Sequence, residues 1–154
     1  MTIDQPRQKE LRKARYSSVN NYYFITIVTR NRIRILNNEI TANIVINTLN
    51  WLEQNKRINL ESFVIMPDHV HFVAQLKDST LSKLIHSLKS YSANEINKSI
   101  KRKGQVWDRG YFEKGIRNEK SLIEIIKYCL DNPVRKGMVE NLKDYPFWYC
   151  KYDI

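Results

Sequence analysis

Glycine and proline are scarce in this chain, with four of each in 154 residues, and no stretch is low in complexity or repeats at a fixed period. A disordered chain and a solenoid are thereby excluded, and the whole chain is expected to fold. Cysteine is scarcer still. Cys129 and Cys150 fit no metal-finger spacing, and in a reducing compartment they read as ordinary thiols without a disulfide. The longest apolar runs, such as Tyr22 to Val28 and Phe63 to Met66, fall far short of the roughly 18 residues that a membrane span needs. The first ten residues hold no apolar core or small-residue cleavage site, so no secretory signal is expected and the cytosol is the predicted address. No lipidation motif or strongly amphipathic basic helix points to a membrane surface. Acidic residues are also in deficit. Sixteen Asp and Glu face 26 Lys and Arg, a net charge of +10 with an isoelectric point near 9.6, which makes a polyanion, nucleic acid foremost, the expected partner.

The positive charge is gathered in runs: Arg7, Lys9, Arg12, Lys13 and Arg15; then Arg30, Arg32 and Arg34; then Lys98, Lys101, Arg102 and Lys103. Any one run could be a solvated face or a flexible tail. Three runs together with nine tyrosines and three tryptophans suit a surface that holds phosphates and stacks on unpaired bases. The length accommodates one core, and residues 1–154 are read as a single domain with a basic arm over 1–18 and a core over 22–148.

Along the chain, Tyr22 to Thr29 is β-branched and aromatic and reads as a buried strand. Asn31 to Asn38 reads as a polar connection. From Glu39 to about Asn55, apolar residues at Ile40, Ile44, Leu49 and Leu52 recur at helical spacing. Leu60 to Met66 and His69 to Leu76 form a hairpin about the Pro67-Asp68 turn. Thr80 N-caps a second helix continuing towards Ile96. After Gly104, Val106 to Ile116 reads as an irregular fourth strand, and Glu119 to Asp131 as a helix closed by Asn132-Pro133. The order βαββαβ followed by α predicts an α+β fold. It is a ferredoxin-like antiparallel sheet with helices on one face, plus a C-terminal helix bearing Tyr128.

Two of the three histidines sit together as His69-Val70-His71, directly after a turn and in a central strand. Residues i and i+2 of a strand share a face, so both imidazoles can reach one point while Val70 turns to the other side. Taken alone the pair also fits exposed or hydrogen-bonded histidines. His86, with no companion a helical turn away, reads as a partly exposed helix residue. Tyr128 and Asn132 are four apart, so a helix would present a phenol and an amide oxygen on one face. The alternative is that Tyr128 fills the core and Asn132 caps the helix.

These residues occur within a longer series of motifs. Met66-Pro67-Asp68-His69-Val70-His71, Leu88-Lys89-Ser90, Val106-Trp107-Asp108-Arg109-Gly110-Tyr111-Phe112, Ile116-Arg117-Asn118-Glu119 and Tyr128-Cys129-Leu130-Asp131-Asn132-Pro133-Val134-Arg135-Lys136-Gly137 follow one another in order. From about Tyr22 to Trp148 the chain resembles the IS200-like single-tyrosine (HUH) transposases, and within them the REP-associated tyrosine transposases. The resemblance implies that His69 and His71 bind a divalent cation, Mg²⁺ or Mn²⁺, with Asn132 completing the site where the wider group has Gln. It implies that Tyr128 is the nucleophile. It also implies nicking and rejoining of single-stranded or hairpin DNA through a 5′-phosphotyrosine, in a bacterial, nucleoid-associated enzyme that is a monomer or homodimer. Arg7, Lys9, Arg12, Lys13, Arg15, Arg30, Arg32, Lys89, Arg109 and Arg117 are the candidate DNA contacts. A phenol needs help to attack at neutral pH, and metal-bound phosphate and nearby cations such as Lys127 are candidates for it. One departure is Asp108, where a Gln commonly follows the Trp. Two other functions compete: a hairpin-DNA-binding protein that no longer cuts, and an RNA-binding domain of similar topology, which the lack of an aromatic-rich binding strand disfavours.

Overall fold

A computed structural model of the chain describes residues 18–153. The predicted arm contacts Arg7, Lys9, Arg12, Lys13 and Arg15 lie outside the described residues. Strand β1 (Tyr22–Val28) is followed by a short 3₁₀ turn (Arg30–Arg32), helix α1 (Glu39–Gln54), the hairpin β2 (Ile58–Met66) and β3 (His69–Leu76), and helix α2 (Leu81–Ser99). Strand β4 (Phe112–Ile116), helix α3 (Glu119–Leu130), the single turn α4 (Asn132–Arg135), a 3₁₀ turn (Leu142–Asp144) and strand β5 (Trp148–Cys150) complete the order. The sheet runs β4-β1-β3-β2-β5 and every pairing is antiparallel. The first four strands have the expected ferredoxin-like order, and β5 extends the sheet at its β2 edge.

Alternation along the strands divides the side chains between two layers. Tyr23, Ile25 and Ile27 of β1, Phe63 and Ile65 of β2, and Val70, Phe72 and Ala74 of β3 pack with Ala42, Val45, Leu49 and Leu52 of α1 and with Leu84, Ile85, Leu88 and Ile96 of α2. Burying each of the larger aliphatic side chains contributes about 1.5–3 kcal/mol. The opposite layer joins Phe24, Val64, Met66 and Val73 to Leu122, Ile126, Cys129 and Leu130 of α3 and to Tyr145. Only α1 and α2 therefore share a face. Helix α3 closes the other face, the one to which His69 and His71 belong.

Helix starts follow the side-chain chemistry. Asn38, Thr80 and Asn118 each take an extended backbone and accept a hydrogen bond from the amide three residues on, capping α1, α2 and α3. Three expectations are corrected. The segment 31–38 is not simply polar, because Ile35 and Leu36 are buried in the core. The fourth strand is confined to Phe112–Ile116; upstream, Trp107 forms only an isolated bridge with Thr29, and Gly110, at φ +74°, turns the chain where a side chain would be strained. Last, the expected order ended at the helix closed by Asn132-Pro133, whereas the chain adds β5 beyond it. The Tyr145 hydroxyl donates to the Ile65 carbonyl, and Trp148 and Tyr149 pair with β2.

Candidate active site

Strand β3 is the centre of the sheet, held by β1 on one side and β2 on the other, with His71 opposite Thr26 and Val64 and His69 opposite Val28 and Met66. The two imidazoles stand side by side, ring centroids 4.7 Å apart and planes at 72°, and Phe24 flanks His71 at 5.4 Å. Each ring is anchored through Nδ1. His69 Nδ1 lies 2.7 Å from Asp68 Oδ1, and His71 Nδ1 lies 2.7 Å from Thr26 Oγ1. With Nδ1 engaged, Nε2 is the nitrogen that each ring offers to a ligand.

Asp68 is itself fixed. Its second oxygen lies 3.1 Å from Arg32 Nε, and the Thr29 hydroxyl donates to the carbonyls of Ile33 at 2.7 Å and Asp68 at 3.1 Å. Arg32 reaches Asp68 because Asn31 and Arg32 both take left-handed backbone, at φ 55° and 56°, a conformation uncommon outside glycine. Burial by itself would raise the Asp68 carboxyl, but the His69 hydrogen bond and the charges of His69 and Arg32 outweigh it and hold the group below its usual range. Burial lowers His69, against the raising effect of Asp68. Burial, with the charges of His69, Arg135 and Arg32 added, pushes His71 down to about 3. Both imidazoles are therefore neutral at physiological pH, the state in which they donate a lone pair.

Tyr128 lies in the last turn of α3 and is 58% exposed, in contrast to Cys129 and Leu130 beside it, which are buried. Helix α3 ends at Leu130, and Asn132 opens α4 with Pro133 in its first turn, where a missing amide hydrogen costs nothing. The pair is thus split between two helical segments. Asn132 is 3% exposed, and its amide nitrogen donates to the Cys129 carbonyl at 2.9 Å, which fixes the direction of the amide. The core-filling alternative for Tyr128 is excluded by its exposure. The cation found over the phenol ring is Arg135, its guanidinium carbon 4.5 Å from the ring centroid, a contact worth about 0.5–1 kcal/mol at an exposed site.

The other predicted contacts are dispersed. Arg30 is bound to Gln105 Oε1 at 2.8 Å, and Arg32 is bound to Asp68. The Lys89 ammonium donates to the backbone carbonyls of Asp108 and Gly110, so it holds the 107–111 loop against α2, and burial lowers its pKa. Arg109 and Arg117 are exposed, and Arg117 borders a cleft of 310 Å³ with Tyr22, Asn118 and Tyr152. His86 is exposed on α2, as expected.

Residues 17–132 match the family model described as "Transposase IS200 like". The chain belongs to the IS200-like transposases. Among curated proteins it is 32% identical over 94 residues to a Haemophilus influenzae protein named as a REP-associated tyrosine transposase, covering 54% of this chain and about half, 53%, of that relative. It is 23% identical over 136 residues to the REP-associated tyrosine transposase of Escherichia coli K12, covering 86% of this chain and 78% of the relative. Of solved structures, a REP-associated tyrosine transposase bound to a REP hairpin superposes with a TM-score of 0.73 at 22% identity, over 96% of this chain and 82% of that one. A transposase-like protein of Deinococcus radiodurans superposes at 0.55 and 20% identity, over 72% and 90%. Both likenesses are of fold. No helix among the described residues of this IS200-like transposase is long and apolar enough to cross a membrane.

Three side chains at the site escaped the sequence reading. Asp68 was read as a turn residue, Thr26 as strand filler and Arg135 as part of a motif. Asp68 alone was open to inference, since a carboxylate beside a ligand histidine is a recurrent support. Thr26 meets His71 only through strand register, and Arg135 meets Tyr128 only across the α3–α4 break.

Proposed function

We propose that this chain is a single-strand DNA endonuclease and strand transferase that nicks and rejoins DNA beside hairpins through a covalent 5′-phosphotyrosine on Tyr128. What supports the reading is that helix α3, which carries the exposed phenol of Tyr128 beside the Arg135 guanidinium, closes the sheet face to which the two anchored imidazoles belong. Helix α3 packs on the strands of its own sheet, an arrangement in which one chain would supply both the tyrosine and the histidines.

The donor set suits a divalent cation. His69 and His71 would present Nε2 to an ion, with Nδ1 already fixed. Two imidazoles and the Asn132 amide oxygen would be the ligands, a sparse set that leaves positions for phosphate and water as a Mg²⁺ or Mn²⁺ site needs, although imidazole donors also admit Zn²⁺. When bound, the ion would neutralise and orient the scissile phosphodiester. The protein's own groups do the rest. The Tyr128 hydroxyl attacks phosphorus in line, the P–O3′ bond breaks, the 3′ hydroxyl leaves with a proton, and the 5′ phosphate stays on the phenol oxygen. Rejoining is the reverse, so no nucleotide cofactor is required. Arg32 and Asp68 keep the His69 ring in place, and Thr26 does the same for His71. The basic surface, with Arg109 and Arg117 exposed, would hold the DNA backbone, and the arm cations Arg7 to Arg15 would add to it.

The test is a labelled single-stranded oligonucleotide carrying a palindromic hairpin, incubated with the protein and Mn²⁺ and run on a denaturing gel. A covalent adduct is expected from wild type and none from Tyr128→Phe. Equal adduct from both removes Tyr128 from the role. Salt-dependent hairpin binding without cleavage under any divalent metal would make the protein a non-cutting DNA binder instead.

A further inference from the structure

We propose that Arg135 is a positioning residue that holds the Tyr128 ring ready for attack, an inference that rests on the phosphotyrosine reading above. Tyr128 is 58% exposed, so core packing cannot fix its ring, yet in-line attack needs the phenol oxygen held to within a fraction of an ångström. Arg135 supplies what packing does not. Its guanidinium carbon lies 4.5 Å from the ring centroid, its Nη1 lies 3.2 Å from Asp131 Oδ2, and the same nitrogen is 3.4 Å from the Tyr128 carbonyl oxygen.

The backbone explains why this reach is available. Position 135 is seven residues beyond 128, nearly two helical turns, so the two side chains stay on one side even though α3 ends between them. The α4 turn is held by the Arg135 amide donating to the Asp131 carbonyl at 2.8 Å and by the Lys136 amide donating to that of Asn132 at 2.9 Å. Arginine suits the position better than lysine. Its planar face covers an aromatic ring while its edge hydrogens bind Asp131, and the remaining edge can meet a phosphate oxygen.

The experiment uses the full chain. In one arm, single-turnover adduct formation is measured with Mn²⁺ and a pool of hairpin-bearing single strands with randomised flanks. Arg135→Ala is expected to slow the step about tenfold or more at saturating DNA, with the half-saturating DNA concentration changed less than about threefold. Added guanidinium ion is expected to recover part of the rate, and Asp131→Asn, which loosens the guanidinium without removing it, to fall between the two. A rate within about twofold of wild type overturns the proposal. So does a loss confined to the half-saturating concentration, which would make Arg135 an ordinary DNA contact. In the second arm, NMR of the free protein follows the Arg135 side-chain Nε–H, whose ring-current shift is expected to vanish in Tyr128→Leu. A resonance indifferent to that substitution overturns the proposal whether or not the protein cuts. If wild type forms no adduct, the transferase reading fails, and the NMR arm still decides whether Arg135 holds the ring.

Discussion

Replacing His71 with Gln should make the metal-free protein less sensitive to acid, by an amount that its surroundings set. In the folded chain the ring is held near pKa 3, against an ordinary value of 6.5. Between those values the unfolded chain takes up a proton that the folded chain refuses. The stability present above pH 6.5 is therefore lost as pH falls, and the loss is complete only near pH 3. Taking about 1.4 kcal/mol per pH unit, His71 alone removes about 2 kcal/mol between about pH 7.5 and about pH 5. His69 is lowered too and acts in the same direction. The other shifted groups act outside this window. Asp68 is lowered from 3.8 and matters at more acid pH, while Lys89 and the raised thiols and phenols act on the alkaline side. Urea unfolding followed by tryptophan fluorescence, in EDTA at the two pH values, gives the difference directly. His71→Gln keeps a hydrogen-bonding group near Thr26 and is expected to lose about 2 kcal/mol less than wild type on acidification. A variant as acid-sensitive as wild type, within about 0.5 kcal/mol, would refute the claim that the buried neutral imidazole is the source.

Other substitutions separate support from chemistry. Asp68→Ala and Thr26→Val each take away the partner of a histidine Nδ1 and are expected to weaken Mn²⁺ binding about 10- to 100-fold by calorimetry; unchanged affinity would mean that the rings need no anchors. Tyr128→Phe, at an exposed position, should shift the unfolding free energy by no more than about 0.5 kcal/mol while abolishing the adduct. Trp107→Phe removes the indole partner of the buried Ser92 hydroxyl, a bond of 2.9 Å, and should cost about 1–3 kcal/mol in denaturant unfolding.

What could be read from the sequence was whatever period or punctuation encodes. The alternation of His69 to Leu76 marks its strand to the residue, because a sheet buried on both faces by different helices still sends successive side chains opposite ways. Thr80 marks the start of α2 because a hydroxyl there meets an otherwise unsatisfied amide. Where the reading fell short, the cause lies in contacts distant along the chain. Val106 to Ile116 has strand-forming residues, but Lys89, from α2, holds the carbonyls of Asp108 and Gly110 and draws that stretch into a loop. Strand β5 spans three residues, too few for any period. Arg32 has the composition of a phosphate contact, yet two left-handed residues turn it onto Asp68. The histidine pair, its strand and its face were legible; the groups that orient the rings depend on registers and turns linking positions 26, 32, 68 and 71, which periodicity does not record.

Strand β3 carries two programmes at once. Its odd positions His69 and His71 face the site, while Val70, Phe72 and Ala74 fill the layer under α1 and α2. A slip of one residue against either neighbour would bury two imidazoles among aliphatic side chains and push a valine and a phenylalanine into their place. A misaligned chain would lose its core and its histidine pair in the same event, so no partly correct sheet can retain one without the other. The imidazole pair is in that sense an internal gauge of strand alignment: the contact of His71 with Thr26, formed only in this register, would report when β3 has locked between β1 and β2.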